Sequence, residues 1–277
     1  MTLGVLGALG AEVEPLLDKI KQVQRIDSPV GVFYQGDYEG HRLILGVTGT
    51  QKTSAAAATQ ALISVHGPKA VFFTGVAGAL NPELTVGDIV IGSTLIHHDA
   101  GFLYGKPHAF IPCGPRIAAP FSDAEKVLWG RINQFCSDHQ LILAARKASD
   151  KLSVEDRRFN IREGVIATGD QVIFSGVKRA EIEKNFGALA VETEGAAFAQ
   201  VAWTNRVPFL VIRGISDDAH ERSVTEERIK LLTSDQPIAE TNRTSETRIR
   251  LNEAAKNAAL FTWATMEALL ICRSKTA

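Results

Sequence analysis

The stretch Leu3-Gly-Val-Leu-Gly-Ala-Leu-Gly-Ala-Glu-Val-Glu-Pro-Leu-Leu-Asp-Lys-Ile20 decides the fold class. Leu3–Leu6 is the short apolar run of a buried strand, and Gly7-Ala8-Leu9-Gly10 is a turn. Val13, Leu16, Leu17 and Ile20 then recur at helical spacing. The alternation continues outward from this unit. Thr53–His66 is Ala-rich with no internal Pro or Gly, which predicts a helix that Gly67-Pro68 stops. Strands are expected at Ala70–Phe73, Val86–Gly92, Gly164–Thr168, Leu189–Glu192 and Phe209–Ile215. Helices are expected at Gly176–Asn185, Gly195–Trp203 and Glu253–Ile271. Val30–Tyr34 and Leu43–Val47, joined across Asp37–His41, read as a hairpin, so the sheet cannot be purely parallel. The pattern predicts an α/β fold: a single domain over residues 1–277, with a mixed central β-sheet flanked by helices. It also predicts a long ordered loop at 101–125, a helix over Asp123–Gln140 and a variable polar insertion at 221–252.

Composition narrows the function. The 277 residues carry 30 Lys plus Arg against 31 Asp plus Glu, a formal charge of -1, which argues against nucleic acid or an anionic membrane as partner. No apolar run approaches the ~20 residues that span a bilayer, and the N-terminus lacks the basic region of a secretory signal. Cys113, Cys136 and Cys272 form no CxxC and read as reduced thiols of a cytoplasmic protein. His97-His98-Asp99 has a ligand-like composition, but neighbours on a strand point to opposite faces and zinc needs three or four convergent ligands. We therefore expect neither metal nor cofactor. Phe198 and Trp203 fall on one predicted helix and read as core.

Four carboxylates sit where strands end: Glu12, Glu192, Glu194 and Asp217. In open α/β sheets ligands collect outside the carboxyl ends of strands, so these groups can converge on one site. Each alone also fits a helix-capping or solvated carboxylate; the set carries the argument. Arg213 fits either an ion pair with one of them or a substrate contact.

Five motifs, in order, resemble the nucleoside phosphorylase and nucleosidase superfamily, most of all the 5'-methylthioadenosine/S-adenosylhomocysteine nucleosidases. They are Gly4-Val-Leu-Gly-Ala-Leu-Gly-Ala-Glu-Val13, Thr74-Gly-Val-Ala-Gly-Ala-Leu-Asn-Pro-Glu-Leu-Thr-Val-Gly-Asp-Ile89, Ala167-Thr-Gly-Asp-Gln-Val-Ile173, Ala190-Val-Glu-Thr-Glu-Gly-Ala196 and Val211-Ile-Arg-Gly-Ile-Ser-Asp217. The resemblance implies a phosphorylase-like fold and release of adenine from a 5'-modified adenosine by hydrolysis. It matches Glu12 to the base that activates water and Asp217 to the acid at purine N7. It matches Glu194 to the group holding the ribose hydroxyls, Ile173 to backbone contacts with the adenine edge and Gly78 to a small residue under the ligand. Thr193 and Ser216 fall beside these positions in the binding set. Three departures bear on the substrate: Thr193 replaces a usual Met, Val76 a usual Ser and Val172 a usual aromatic.

Related phosphorylases carry Arg in the first turn and before the glycine-rich turn, because a phosphate dianion needs bidentate cations. Here the first turn has no Arg and Phe73 precedes Thr74-Gly75, which favours water as nucleophile. A phosphorolytic purine nucleoside phosphorylase and a nucleoside-binding protein without turnover stay open as alternatives. The family's long loop reaches across a dimer. Phe102, Tyr104, Phe110 and Ile111 would leave an apolar patch on a monomer, so a homodimer is expected.

Overall fold

The computed structural model describes residues 1–105, 109–114, 116–120, 127–131, 133–152, 159–220 and 246–274. Strand β1 (Thr2–Gly7) is buried on both faces and pairs in parallel with β4 (His41–Val47) and β5 (Ala70–Ala79). Helix α1 (Gly10–Leu17) follows it directly, as its apolar spacing requires. The expected hairpin is β3 (Gly31–Tyr38) against β4, and its connection is the pair Glu39-Gly40. Both residues have positive φ (50° and 75°), the backbone that matches the twist of a two-residue hairpin and that Gly adopts without penalty. Helix α2 (Gln51–His66) returns the chain to β5 and ends at Gly67.

Further along, β6 (Ile89–His97) starts later and runs longer than the sequence suggests, because Thr85 and Asp88 close a turn before it. β12 (Ile161–Thr168), helix α4 (Gly176–Phe186), β13 (Ala188–Glu192), helix α5 (Gly195–Thr204) and β14 (Phe209–Asp217) follow the expected order. β5 pairs with β13 and β14, β14 pairs with β6, β6 with β12, and β12 with β13. These pairings close a ring of five strands at one end of a ten-stranded mixed sheet.

Side chains alternate across the sheet into two layers. Leu3, Val5, Phe72 and Ile212 pack towards α1, helix α3 (His139–Lys151) and helix α6 (Glu246–Ser274). Leu6, Val71, Phe73 and Val211 pack towards α2 and α5, where Phe198 is fully buried and Trp203 packs at the margin. Each fully buried Leu, Ile or Phe here contributes roughly 1.5–3 kcal/mol through apolar area removed from water.

Several expectations are corrected. Within the expected loop at 101–125, the described residues include a strand pair, β7 (Gly101–Tyr104) with β8 (Ala109–Pro112). Among the described residues of the helix expected over Asp123–Gln140, strand takes its place until His139: β10 (Val127–Arg131) pairs with β9 (Arg116–Pro120), and β11 (Phe135–Cys136) edges the sheet on β6. Asp138 caps α3 by accepting from the backbone N–H groups of Gln140 and Leu141. Pairing between strands overrides helix propensity in this stretch. β2 (Lys21–Ser28) was not anticipated; it is a mostly exposed, polar edge strand with no apolar period. Of the polar insertion at 221–252, residues 221–245, including the charged run Glu221–Arg228, lie outside the described residues. Residues 246–252 are the first turns of α6.

Candidate active site

The carboxyl ends of β1, β5, β13 and β14, the loop after β12 and the start of α2 surround a cavity of about 170 Å³. Glu12, in the first turn of α1, bends back over the turn that follows β1. Its Oε2 accepts from the backbone N–H groups of Ala8 (2.6 Å) and Leu9 (2.9 Å), and its Oε1 accepts from Val76 N–H (3.0 Å). The bond from Leu9 N–H joins the N-cap backbone to the carboxylate of the third helical residue, which ties the helix start to Glu12. Val76 contributes only its backbone here, so the missing hydroxyl leaves this contact unchanged.

Behind Glu12 lies a buried ion cluster. Arg213 on β14 has no solvent exposure, pairs with Glu192 and lies 3.4 Å from Glu194 Oε2. Its guanidinium sits 4.8 Å from the centre of the Phe73 ring. Glu192 Oε2 also accepts from the N–H groups of Glu194 (3.0 Å) and Gly195 (2.7 Å), and its Oε1 accepts from the Thr168 hydroxyl. Glu194 Oε1 accepts from Gln51 N–H (2.8 Å) and from the Thr193 hydroxyl. One guanidinium thus faces three carboxylates, more negative charge than a dry interior holds cheaply. Burial accordingly pushes Glu12 above its ordinary pKa against the pull of Arg213 and three backbone N–H groups. Burial likewise pushes Glu194 up to about 7, with Arg213 opposing and Glu192 adding to the rise.

Gly75 makes this packing possible. A Cβ there would lie 2.1 Å from Arg213 Nη1 and 2.6 Å from Glu12 Oε1. We expect Gly75→Ala to cost about 1–3 kcal/mol through overpacking, read as a lower urea midpoint with unchanged slope; an unchanged midpoint would show that the cluster yields freely.

Asp217 ends β14, and here the strand departs from simple alternation. Ile215 lies opposite Ala77 and Asp217 opposite Gly78, so Ser216 is one residue extra. In a regular strand successive side chains point to opposite sides, so Ser216 and Asp217 would not face one cavity together. The bulge instead lets Ser216 and Asp217 both line the cavity, while Asp218 does not. Asp217 Oδ2 accepts from the Ser216 hydroxyl (2.9 Å) and Oδ1 from Ala219 N–H (3.0 Å).

All seven residues singled out from the sequence line this one cavity: Glu12, Gly78, Ile173, Thr193, Glu194, Ser216 and Asp217. Leu9, Thr50, Gln171 and Leu251 line it as well and were not anticipated; Leu251 comes from the segment read as polar insertion. Of the two readings of Arg213, ion pair or substrate contact, the structure shows the ion pair. Its signal was the one charge in the apolar run Phe209–Ile215, which burial allows only beside counter-charge. Val172 lines the rim and is 56% exposed. His97 bonds to Gln200 (3.0 Å), whereas the His98 ring packs under Gly169. Among the described residues no three His, Cys, Asp or Glu are placed to hold a metal ion.

Fold and site together define an α/β enzyme type with carboxylates gathered at strand ends around a small cavity. The chain belongs to the phosphorylase superfamily, whose family model matches residues 2–265. It is 32% identical over 224 residues to the aminodeoxyfutalosine nucleosidase of Campylobacter jejuni, covering 80% of this chain and 88% of that protein. It is 33% identical over 225 residues to the 5'-methylthioadenosine/S-adenosylhomocysteine nucleosidase of Tolumonas auensis, with 80% and 89% covered. Among solved structures it resembles the 5'-methylthioadenosine/S-adenosylhomocysteine nucleosidase of Neisseria meningitidis in complex with methylthio-immucillin-A. That match has a TM-score of 0.71 and 29% identity, over 98% of both chains.

Proposed function

We propose that this protein is a nucleosidase that hydrolyses the N-glycosidic bond of 5'-modified adenosines and releases adenine. The observation that carries the reading is the convergence of Glu12, Glu194 and Asp217 on one cavity whose described lining contains no Lys or Arg. In this reading Ile173 presents its backbone to the adenine edge, Gly78 leaves room for the ligand, and Glu194 accepts hydrogen bonds from the ribose hydroxyls. Thr193 and Ser216 steer the carboxylates beside them. As the bond between C1' and N9 breaks, its electron pair moves into the purine, and Asp217 delivers a proton to N7. Water attacks C1' and gives its proton to Glu12, with Arg213 balancing the charge of the cluster. Among the described residues no cation lines this cavity to meet a phosphate dianion, which disfavours phosphorolysis. A protein that only binds nucleosides has no use for both an acid and a base. Assay of adenine release across a panel of 5'-substituted adenosines tests the reading. Release from at least one supports it, and binding without release from any would favour the binding protein.

The raised pKa of Glu194 has a sign. Ribose binding needs the carboxylate, so kcat/KM should fall about tenfold per unit as pH drops below about 7. Stability runs the other way: the folded state prefers protonated Glu194, so the stability tied to that proton is present below the ordinary value of 4.5 and lost as pH rises through about 7. A kcat/KM profile flat down to pH 5 would contradict this.

The proposal includes a homodimer. Phe102, Leu103, Tyr104 and Ile111 on the β7–β8 hairpin are 52%, 71%, 60% and 49% exposed in the single chain, an apolar surface that a second copy would cover. Sedimentation at micromolar concentration should give twice the chain mass; an active monomer would sink the idea. We place the protein in the cytoplasm on its composition; among the described residues no helix is long and apolar enough to cross a membrane.

A further inference from the structure

The start of α2 touches both halves of the site without Lys52 lining it. Gln51 has a left-handed backbone (φ 70°), uncommon outside Gly, and in it aims its N–H at Glu194 Oε1 (2.8 Å). The next residue binds the loop that follows β12: Lys52 N–H donates to Asp170 Oδ1 (3.0 Å). The Lys52 ammonium lies 2.8 Å from both oxygens of Asp99, just beyond β6, and 3.3 Å from Asp170 Oδ2. Asp170 N–H closes the circuit by donating to Asp99 Oδ2 (3.0 Å). Beneath the loop, a Cβ at Gly169 would lie 2.3 Å from His98 Nε2, so the loop already rests on that ring and cannot sink further.

Isolated surface ion pairs contribute little. This one differs in arrangement: a single ammonium is shared by two carboxylates, the Lys52 and Asp99 side chains are 23% and 25% exposed, and two backbone N–H groups complete the circuit. Burial works against the Asp99 charge, but Lys52 and the Asp170 N–H outweigh it and hold its pKa below the ordinary value.

We propose that Lys52 and Asp99 are positioning residues that lock the loop Gly169–Ile173 to the start of α2, and so set the base-reading loop at a fixed distance from the ribose-gripping Glu194. The proposal rests on the reading that this loop contacts adenine. Glu12 and Asp217 stand on other elements, so loosening the loop should weaken binding of ground state and transition state alike. That outcome raises KM and leaves kcat nearly unchanged.

The test compares wild type, Lys52→Met, Lys52→Arg and Asp99→Asn by calorimetric titration with adenine, by kcat and KM for 5'-methylthioadenosine, and by Tm. Lys52→Met and Asp99→Asn should weaken adenine binding and raise KM by about tenfold or more, with kcat within about threefold, as for a loss of uniform binding. Lys52→Arg, which keeps the charge, should recover most of the loss. Adenine affinity within twofold of wild type in Lys52→Met would overturn the proposal. So would a fall confined to kcat, or a loss that Lys52→Arg shares together with a lowered Tm. If wild type binds adenine but cleaves no nucleoside, the nucleosidase reading fails while the adenine titrations still decide the role of Lys52. If wild type does not bind adenine, the positioning role falls with it.

Discussion

Asp217→Asn should nearly abolish adenine release, by about 10³-fold, while the variant still binds a non-hydrolysable substrate analogue. An acid that protonates N7 acts only as the bond breaks, so its loss lowers turnover and spares affinity. A positioned acid or base contributes about 10²–10⁴-fold, and no other acid lining the cavity shares the Asp217 position at the end of β14. The neighbouring Asp218 is the internal control. It does not line the cavity, so Asp218→Asn should retain activity within about tenfold, since only a through-space charge is removed. Turnover of both variants decides the matter, and an inactive Asp218→Asn beside an active Asp217→Asn would reverse the assignment.

Glu12→Gln carries the second large effect. The amide keeps the size of the carboxylate but cannot take a proton from water, so turnover should fall about 10²-fold or more. Affinity should change much less, because Glu12 is engaged by the N–H groups of Ala8, Leu9 and Val76. Those same contacts require a stability control: an amide nitrogen turned towards a backbone N–H would be unsatisfied. Thermal melting of the variant separates the two effects. A folded Glu12→Gln with near-normal turnover would remove Glu12 from the mechanism.

How much of this was legible in the sequence depends on whether the information was local. β1, its turn and α1 could be read directly, because a strand buried on both faces followed by an amphipathic helix leaves period and composition in the same direction. The seven cavity residues were reached through motifs that keep their order along the chain, and the sheet gathers them at its strand ends. β2 left no trace because an edge strand facing water needs no apolar alternation. The stretch 123–140 misled because its residue types favour helix, whereas β10 and β11 are held by partners outside the window, β9 and β6. The bulge at Ser216 is a matter of register against β5, which no single strand records. The Arg213 cluster and the Lys52–Asp99–Asp170 circuit are likewise tertiary. Their members are spread from residue 12 to residue 213, and only the fold makes them neighbours.

The central claim is that water, not phosphate, attacks the sugar. Its most direct test follows 5'-methylthioadenosine with purified protein, in phosphate-free buffer and again with added inorganic phosphate, identifying both products. The account predicts adenine and the free thiomethyl sugar at the same rate in both buffers. Turnover that needs phosphate and accumulates the sugar 1-phosphate would contradict it.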